Sequence, residues 1–125
     1  MQKRKPTLLA HQQSDQGVLL QLRVDEDILD FTGHFKAFPI LPGVTQIDWA
    51  IHYANKFLNV PTGFKGMEVI KFQEPILPNS IISLDLMWDS EKQKLSFNYL
   101  SNDATREEPV VKHSSGKMKL GNKGE

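Results

Sequence analysis

Over one stretch of this chain, Val44 to Leu58, apolar residues recur with helical period, and over most of the remainder they alternate. Val44, Ile47, Ile51, Ala54 and Leu58 lie on an i, i+3, i+7 stripe that Trp49, Ala50, Tyr53 and Phe57 widen. A helix apolar around so much of its circumference has to be buried on most sides. Pro42 suits its first turn, where a missing N–H removes no hydrogen bond. "NVPTG" should end it, because Pro61 cannot continue a helix and Gly63 permits a turn.

The flanking segments read as strands. "VLLQLRV", residues 18–24, sets Leu20, Leu22 and Val24 against Gln21 and Arg23. "MEVIKFQ" places Ile70 and Phe72 on one face, and "IISLDLMWD" places Ile82, Leu84, Leu86 and Trp88 opposite Ser83, Asp85 and Asp89. "KLSFNYL" alternates Leu95, Phe97 and Tyr99 with Ser96 and Asn98, and "VVKHSSGKMKL" is a weaker strand candidate. "DSEKQK" and "SNDATREEP" read as a turn and a polar loop. One long helix in an antiparallel, strand-rich chain implies an α+β architecture, with one curved sheet laid across the helix. Such a sheet covers one side only. The remaining apolar helix residues call for a second copy of the protein.

Composition narrows the function. With 125 residues the chain is expected to form one domain spanning 1–125. Fifteen Lys+Arg balance fifteen Asp+Glu, which argues against a general nucleic-acid binder. The absence of cysteine excludes a disulfide frame, a thiolate nucleophile and a cysteine-based zinc site. Behind the basic start "MQKRKPTLLAHQQ" the apolar run is too short for an export signal, and nothing approaches a membrane span. A cytoplasmic protein with no membrane association is the expectation.

Between the first strand and the helix runs "TGHFKAFPILPGVTQIDWA". "GHF…P…PG" followed by an acid inside an apolar helix resembles the hotdog-fold 3-hydroxyacyl-acyl-carrier-protein dehydratases of fatty acid synthesis. In that family the catalytic histidine precedes the helix carboxylate by fourteen positions, as His34 precedes Asp48. "IKFQEPILPNSIISLDL" also resembles the family's second strand, turn and third strand, and the likeness covers roughly residues 17–120. "FPILPGVTQIDWA" looks most like the aryl-polyene-type, ApeI-like subgroup. Three positions depart from the pattern: Lys36 follows Phe35 where proline is usual, His52 replaces a common glutamine, and Pro78-Asn79-Ser80 replaces Pro-Gly-Asp.

The resemblance implies dehydration of 3-hydroxyacyl thioesters to trans-2-enoyl products, with the substrate carried on the phosphopantetheine of an acyl carrier protein. It implies neither a metal nor any other cofactor. His34 would be the base, as a neutral imidazole. Asp48 would be the acid, which requires apolar surroundings that favour its protonated form. The Gly43 N–H would polarise the thioester carbonyl. By resemblance the site lies between the subunits of a homodimer or higher homo-oligomer. His34 of one subunit faces Asp48 of the other, His52 lies nearby, and Phe31, Phe35, Phe38, Ile40 and Leu41 line an acyl tunnel.

Each residue also has an ordinary reading. Alone, His34 is a loop histidine, and Thr45, Asp48, His52 and Asn55 are spaced like a solvated helix stripe. Asp48 and His52, at i and i+4, would with His34 make a metal site, a reading the resemblance disfavours. Gly43 and Pro42 could simply begin a helix, and the basic cluster Lys3-Arg4-Lys5 could be a solvated terminus. Two functional rivals stand beside dehydration: a hotdog thioesterase whose helix acid activates water, and a non-catalytic acyl-binding subunit.

Overall fold

The computed structural model describes residues 4–28 and 40–122. Along the chain run β1 (Thr7–Gln13), β2 (Gly17–Val24), α1 (Gly43–Leu58), β3 (Gly63–Phe72), β4 (Ser80–Asp89), β5 (Lys94–Asn102) and β6 (Val110–Gly121). The strands form one six-stranded sheet in the order β1-β2-β4-β5-β6-β3, with every neighbouring pair antiparallel. The expected α+β hotdog arrangement, a sheet around a single long helix, is the one found.

Alternation decides which side of each strand meets the helix. Leu20 pairs with Leu84 and Leu84 with Tyr99, while Val18 pairs with Leu86, Leu86 with Phe97 and Phe97 with Gly116. These rows cross the sheet on one face, and all their large side chains are buried. Gly116 completes its row because a Cβ there would lie 2.6 Å from Phe97 Cε2, so the ring occupies the missing side chain's place. Leu19, Ile81 and Met87 face the other way and stay exposed.

The helix meets this face through Thr45, Gln46, Trp49, Ala50, Tyr53 and Ala54. The two alanines bring its backbone close to the sheet, and Trp49 is fully enclosed, its Nε1–H donating to the Arg4 carbonyl at 2.9 Å. This corrects the phase expected for the buried stripe. Val44 is 75% exposed, and Ile47, Ile51, Phe57 and Leu58 pack only at the edge of the core. Thr45, which the ordinary alternative reading would place on a solvated stripe, is buried. With apolar residues nearly all round the helix, the sheet rather than the period selects the inner face.

Other departures have local causes. β1 was not foreseen: it is an edge strand exposed over most of its length, and solvent on both sides leaves no alternation to read. Asn59, not Pro61 or Gly63, terminates the helix, adopting the left-handed conformation (φ 57°) and donating its N–H to the Asn55 carbonyl. Gly63 instead begins β3, which starts before the predicted segment and leaves Phe72 exposed at its far end. β6, the weakest strand in the sequence, is the longest and lies between β5 and β3. Trp88 is only half-buried. No helix among the described residues is long and apolar enough to cross a membrane.

Replacing Leu84, at the centre of the inner face, by alanine is expected to lower unfolding free energy by about 2–5 kcal/mol. Leu19→Ala, on the outer face of the neighbouring strand, should change it by less than about 0.5 kcal/mol. Urea titrations of the two variants measure both.

Candidate active site

Pro42 occupies the N-cap position and contributes no side-chain cap, and no acid stands in the first turn. The first N–H groups of a helix have no acceptor within it. The Thr45 and Gln46 N–H groups reach back to the Pro42 carbonyl. Among the described residues, those of Gly43 and Val44 remain as the open donors. Beside them lies a largely apolar cleft of about 550 Å³, walled by Ile40, Gly43, Gln46, Phe72, Pro75 and His113. A Cβ on Gly43 would lie 2.5 Å from Phe72 Cζ, so the glycine admits the aromatic ring against the helix start. The arrangement suits an apolar chain that ends in a polarisable oxygen.

The helix start is held from below by buried polar groups. Gln46 Nε2 donates to the Leu41 carbonyl at 3.1 Å, and Ser114 Oγ donates to Gln46 Oε1 at 2.6 Å. Tyr99 donates its hydroxyl to the Gln46 main-chain carbonyl at 2.6 Å. Burial pushes the Tyr99 phenol well above its usual pKa, with the charges of Tyr53 and Asp48 acting in the same direction, so the donor form is kept. Leu41 N–H in turn donates to the Ile76 carbonyl, which fastens the approach to the helix onto the segment after β3.

A bulge brings in His113. Tyr99 pairs with Ser114 but Leu100 pairs with Lys112, which leaves His113 as an extra residue on β6. Both His113 and Ser114 therefore point inward, and both are buried. His113 Nδ1 lies 3.0 Å from the Glu74 carbonyl, which can only accept, so Nδ1 carries the proton and Nε2 accepts from Ser101 Oγ at 2.7 Å. The histidine thus pins the Glu74–Pro75 wall of the cleft to β6.

The structure brings together Ile40, Leu41 and Gly43 of the residues singled out in the sequence, although Leu41 is as much core as lining. His34, Phe31, Phe35, Lys36 and Phe38 lie outside the described residues. Asp48 and His52 do not reach this cleft. In the single chain the Asp48 side chain is 68% exposed and paired with Lys5 Nζ at 3.5 Å, so the apolar enclosure expected around it is absent from one subunit. Five residues separate it from Gly43, which places the two roughly 140° apart around the helix axis at 3.6 residues per turn. Among the described residues no cluster of three or more potential ligands could hold a metal. The sequence reading missed Gln46, Phe72 and His113 as cleft residues. The one signal for His113 is the broken alternation of "VVKHSSGKM", whose inward positions change parity at "HS".

Comparison with known proteins agrees with this fold. A crystal structure of a protein from Erwinia carotovora subsp. atroseptica is 40% identical and superposes with a TM-score of 0.81, covering 97% of this chain and 99% of the other. The dehydratase heterocomplex ApeI:P from Xenorhabdus doucetiae contains a chain 34% identical, with a TM-score of 0.78 over 92% of this chain and 96% of that one. The 3-hydroxyacyl-acyl-carrier-protein dehydratase FabZ of Erythrobacter litoralis is 29% identical over 75 residues, 52% of this chain, and the match spans about half that relative's length (49%). The fold is that of a hotdog dehydratase. Residues 10–117 match the model described as ApeI-like, ApeI dehydratase, and the chain belongs to that family.

His52, on the same exposed helix face as Asp48, is held below the usual histidine value of 6.5, first by partial burial and then by Lys5 and Lys56, with Asp48 opposing. As pH falls below 6.5 the unfolded chain takes up this proton before the folded one, so the stabilisation present above 6.5 declines through that window. An NMR titration should place the His52 midpoint below 6.5, and Asp48→Asn should lower it further.

Proposed function

We propose that the protein dehydrates 3-hydroxyacyl thioesters to trans-2-enoyl thioesters in fatty acid or aryl-polyene biosynthesis, with the acyl group carried on an acyl carrier protein. The observation that carries this reading is the apolar cleft that ends on the uncapped start of α1 at Gly43. The family to which the chain belongs supports it. His34 removes the α-hydrogen, and the electron pair moves toward the thioester carbonyl, whose oxygen accepts from the Gly43 N–H. As the electrons return to form the double bond, the C3 hydroxyl leaves with the proton of Asp48 as water. General acid–base groups supply about 10²- to 10⁴-fold, and one oxyanion donor about 10²- to 10³-fold.

The placement of Asp48 calls for a second subunit. One chain cannot turn both Gly43 and Asp48 toward a single small group when they lie on different helix faces. The Asp48 face carries exposed Val44 and half-buried Ile47 and Ile51, apolar surface that a partner would cover. Covered in this way, Asp48 would gain the apolar surroundings that favour its acid form. A second copy, contributing His34 opposite Asp48, is the proposed partner. The Xenorhabdus relative is found in a heterocomplex, which makes a different subunit the rival partner. Mass spectrometry under native conditions is expected to show two copies of this chain, and a species that forms only with a different subunit would replace that assignment.

With 3-hydroxyacyl and saturated acyl thioesters supplied separately, enoyl product is expected from the first and no free thiol from the second. Thiol release from the saturated substrate would favour a thioesterase. His34→Ala and Asp48→Asn should each reduce dehydration by about 10²-fold or more. A ligand retained without turnover, equally by wild type and His34→Ala, would favour an acyl-binding subunit. Lys36→Glu should raise KM for an acidic carrier-bound substrate and weaken its salt dependence, by removing a steering charge. An unchanged response to salt would count against that role.

A further inference from the structure

We infer that Gln46, besides walling the cleft, is a positioning residue for the carbonyl-polarising amide, acting through Leu41, Ser114 and Tyr99. The inference rests on the reading of Gly43 given above. Helix starts are usually quieted by a side chain that bonds back to the first N–H groups. Here Pro42 at the N-cap offers no such group, and the Gln46 side chain one turn on faces inward. Gln46 uses its amide to satisfy a carbonyl, that of Leu41, and leaves uncapped the Gly43 N–H beside the cleft that Gly43 lines.

The geometry of this bridge fixes more than one bond. Gln46 N–H holds the Pro42 carbonyl while Gln46 Nε2 holds that of Leu41, so two successive peptide units ahead of Gly43 are fastened to one residue. Gln46 itself is tied to two strands: its Oε1 to Ser114 of β6 and its main-chain carbonyl to Tyr99 of β5. Gln46, Ser114 and Tyr99 are all buried. No water competes for these bonds, and any one left unmade is costly. The bulge at His113 supplies the inward-facing serine. The amide is therefore referenced to the sheet that forms the cleft rather than to the mobile geometry of an ordinary helix terminus. A donor serves an oxyanion only within a narrow range of position, and a displacement of about 1 Å can reduce rate by about 10²-fold.

The test compares wild type with Gln46→Met, Gln46→Glu and Ser114→Ala on a 3-hydroxyacyl thioester, with kcat, KM and thermal unfolding measured across pH. Gln46→Met keeps the side-chain length and removes both hydrogen bonds. It is expected to lower kcat by about ten- to a hundredfold while leaving KM within about twofold and the protein folded at assay temperature. In Gln46→Glu a neutral carboxyl can still donate to Leu41 and accept from Ser114, whereas an ionised one turns an acceptor toward a carbonyl. Measured as a ratio to wild type at the same pH, kcat of that variant should be kept at low pH and fall as pH rises, a trend beyond the limbs that His34 and Asp48 give both proteins. If Gln46→Met unfolds, Ser114→Ala carries the same comparison with a smaller loss. A Raman measurement on bound enoyl thioester adds a second readout: its carbonyl stretch should lie at lower frequency in wild type than in the variants.

Retention of wild-type kcat by the variants, or a loss that follows only the unfolded fraction at every pH, overturns the inference. His34→Ala and Asp48→Asn run in parallel separate the two levels. If they abolish turnover while the Gln46 variants do not, positioning fails and the dehydratase reading stands. If wild type performs no dehydration, both fall.

Discussion

The packing of Trp49, Ala50, Tyr53 and Ala54 into the concave face of the sheet is the contact from which the remaining arrangement follows. Two alanines let the helix axis approach, and two aromatics fill the space on either side. Because Trp49 is sealed and its indole N–H is met by the Arg4 carbonyl, the helix has little freedom to rotate about its own axis. Rotation is what would matter most. A turn of one residue, roughly 100°, would carry Gln46 away from Ser114 and move the Gly43 amide off the cleft. Core packing thus sets the azimuth of every functional side chain on α1.

That azimuth explains which parts of the molecule were legible in sequence. The helix, and four strands with nearly their observed bounds, follow from period alone, because each element has one wet and one dry side or is dry almost throughout. Leu20, Leu84 and Phe97 could be assigned to the core from alternation. The inner face of α1 could not, since Val44, Ile47 and Ile51 are as apolar as Ala50 and Ala54 and only the sheet distinguishes them. β1 was illegible for the opposite reason: it is wet on both sides, and its pairing with β2 is made by backbone groups that any sequence supplies.

The candidate site divides along a similar line. Ile40, Leu41, Gly43 and Asp48 lie in a contiguous motif, so their spacing suffices to single them out. Gln46, within that motif, was passed over because a glutamine on a helix is ordinarily a solvated residue. His113 and Ser114 join the site only through a bulge more than sixty residues downstream, signalled in the sequence by nothing but the change of parity at "HS". Asp48 shows the limit of one chain: it is largely exposed and paired with Lys5, and the described residues do not supply the apolar surroundings its proposed chemistry needs.

The parity change in β6 has a bearing on how such a site could diversify. Past the extra residue, Met118 and Leu120 are committed to the hydrophobic interior, while at the extra residue His113 lines the cleft. One strand thereby serves the interior with its trailing half and the cleft with its leading half. A change of shape in the leading half would reach the cleft without the interior behind it having to be rebuilt.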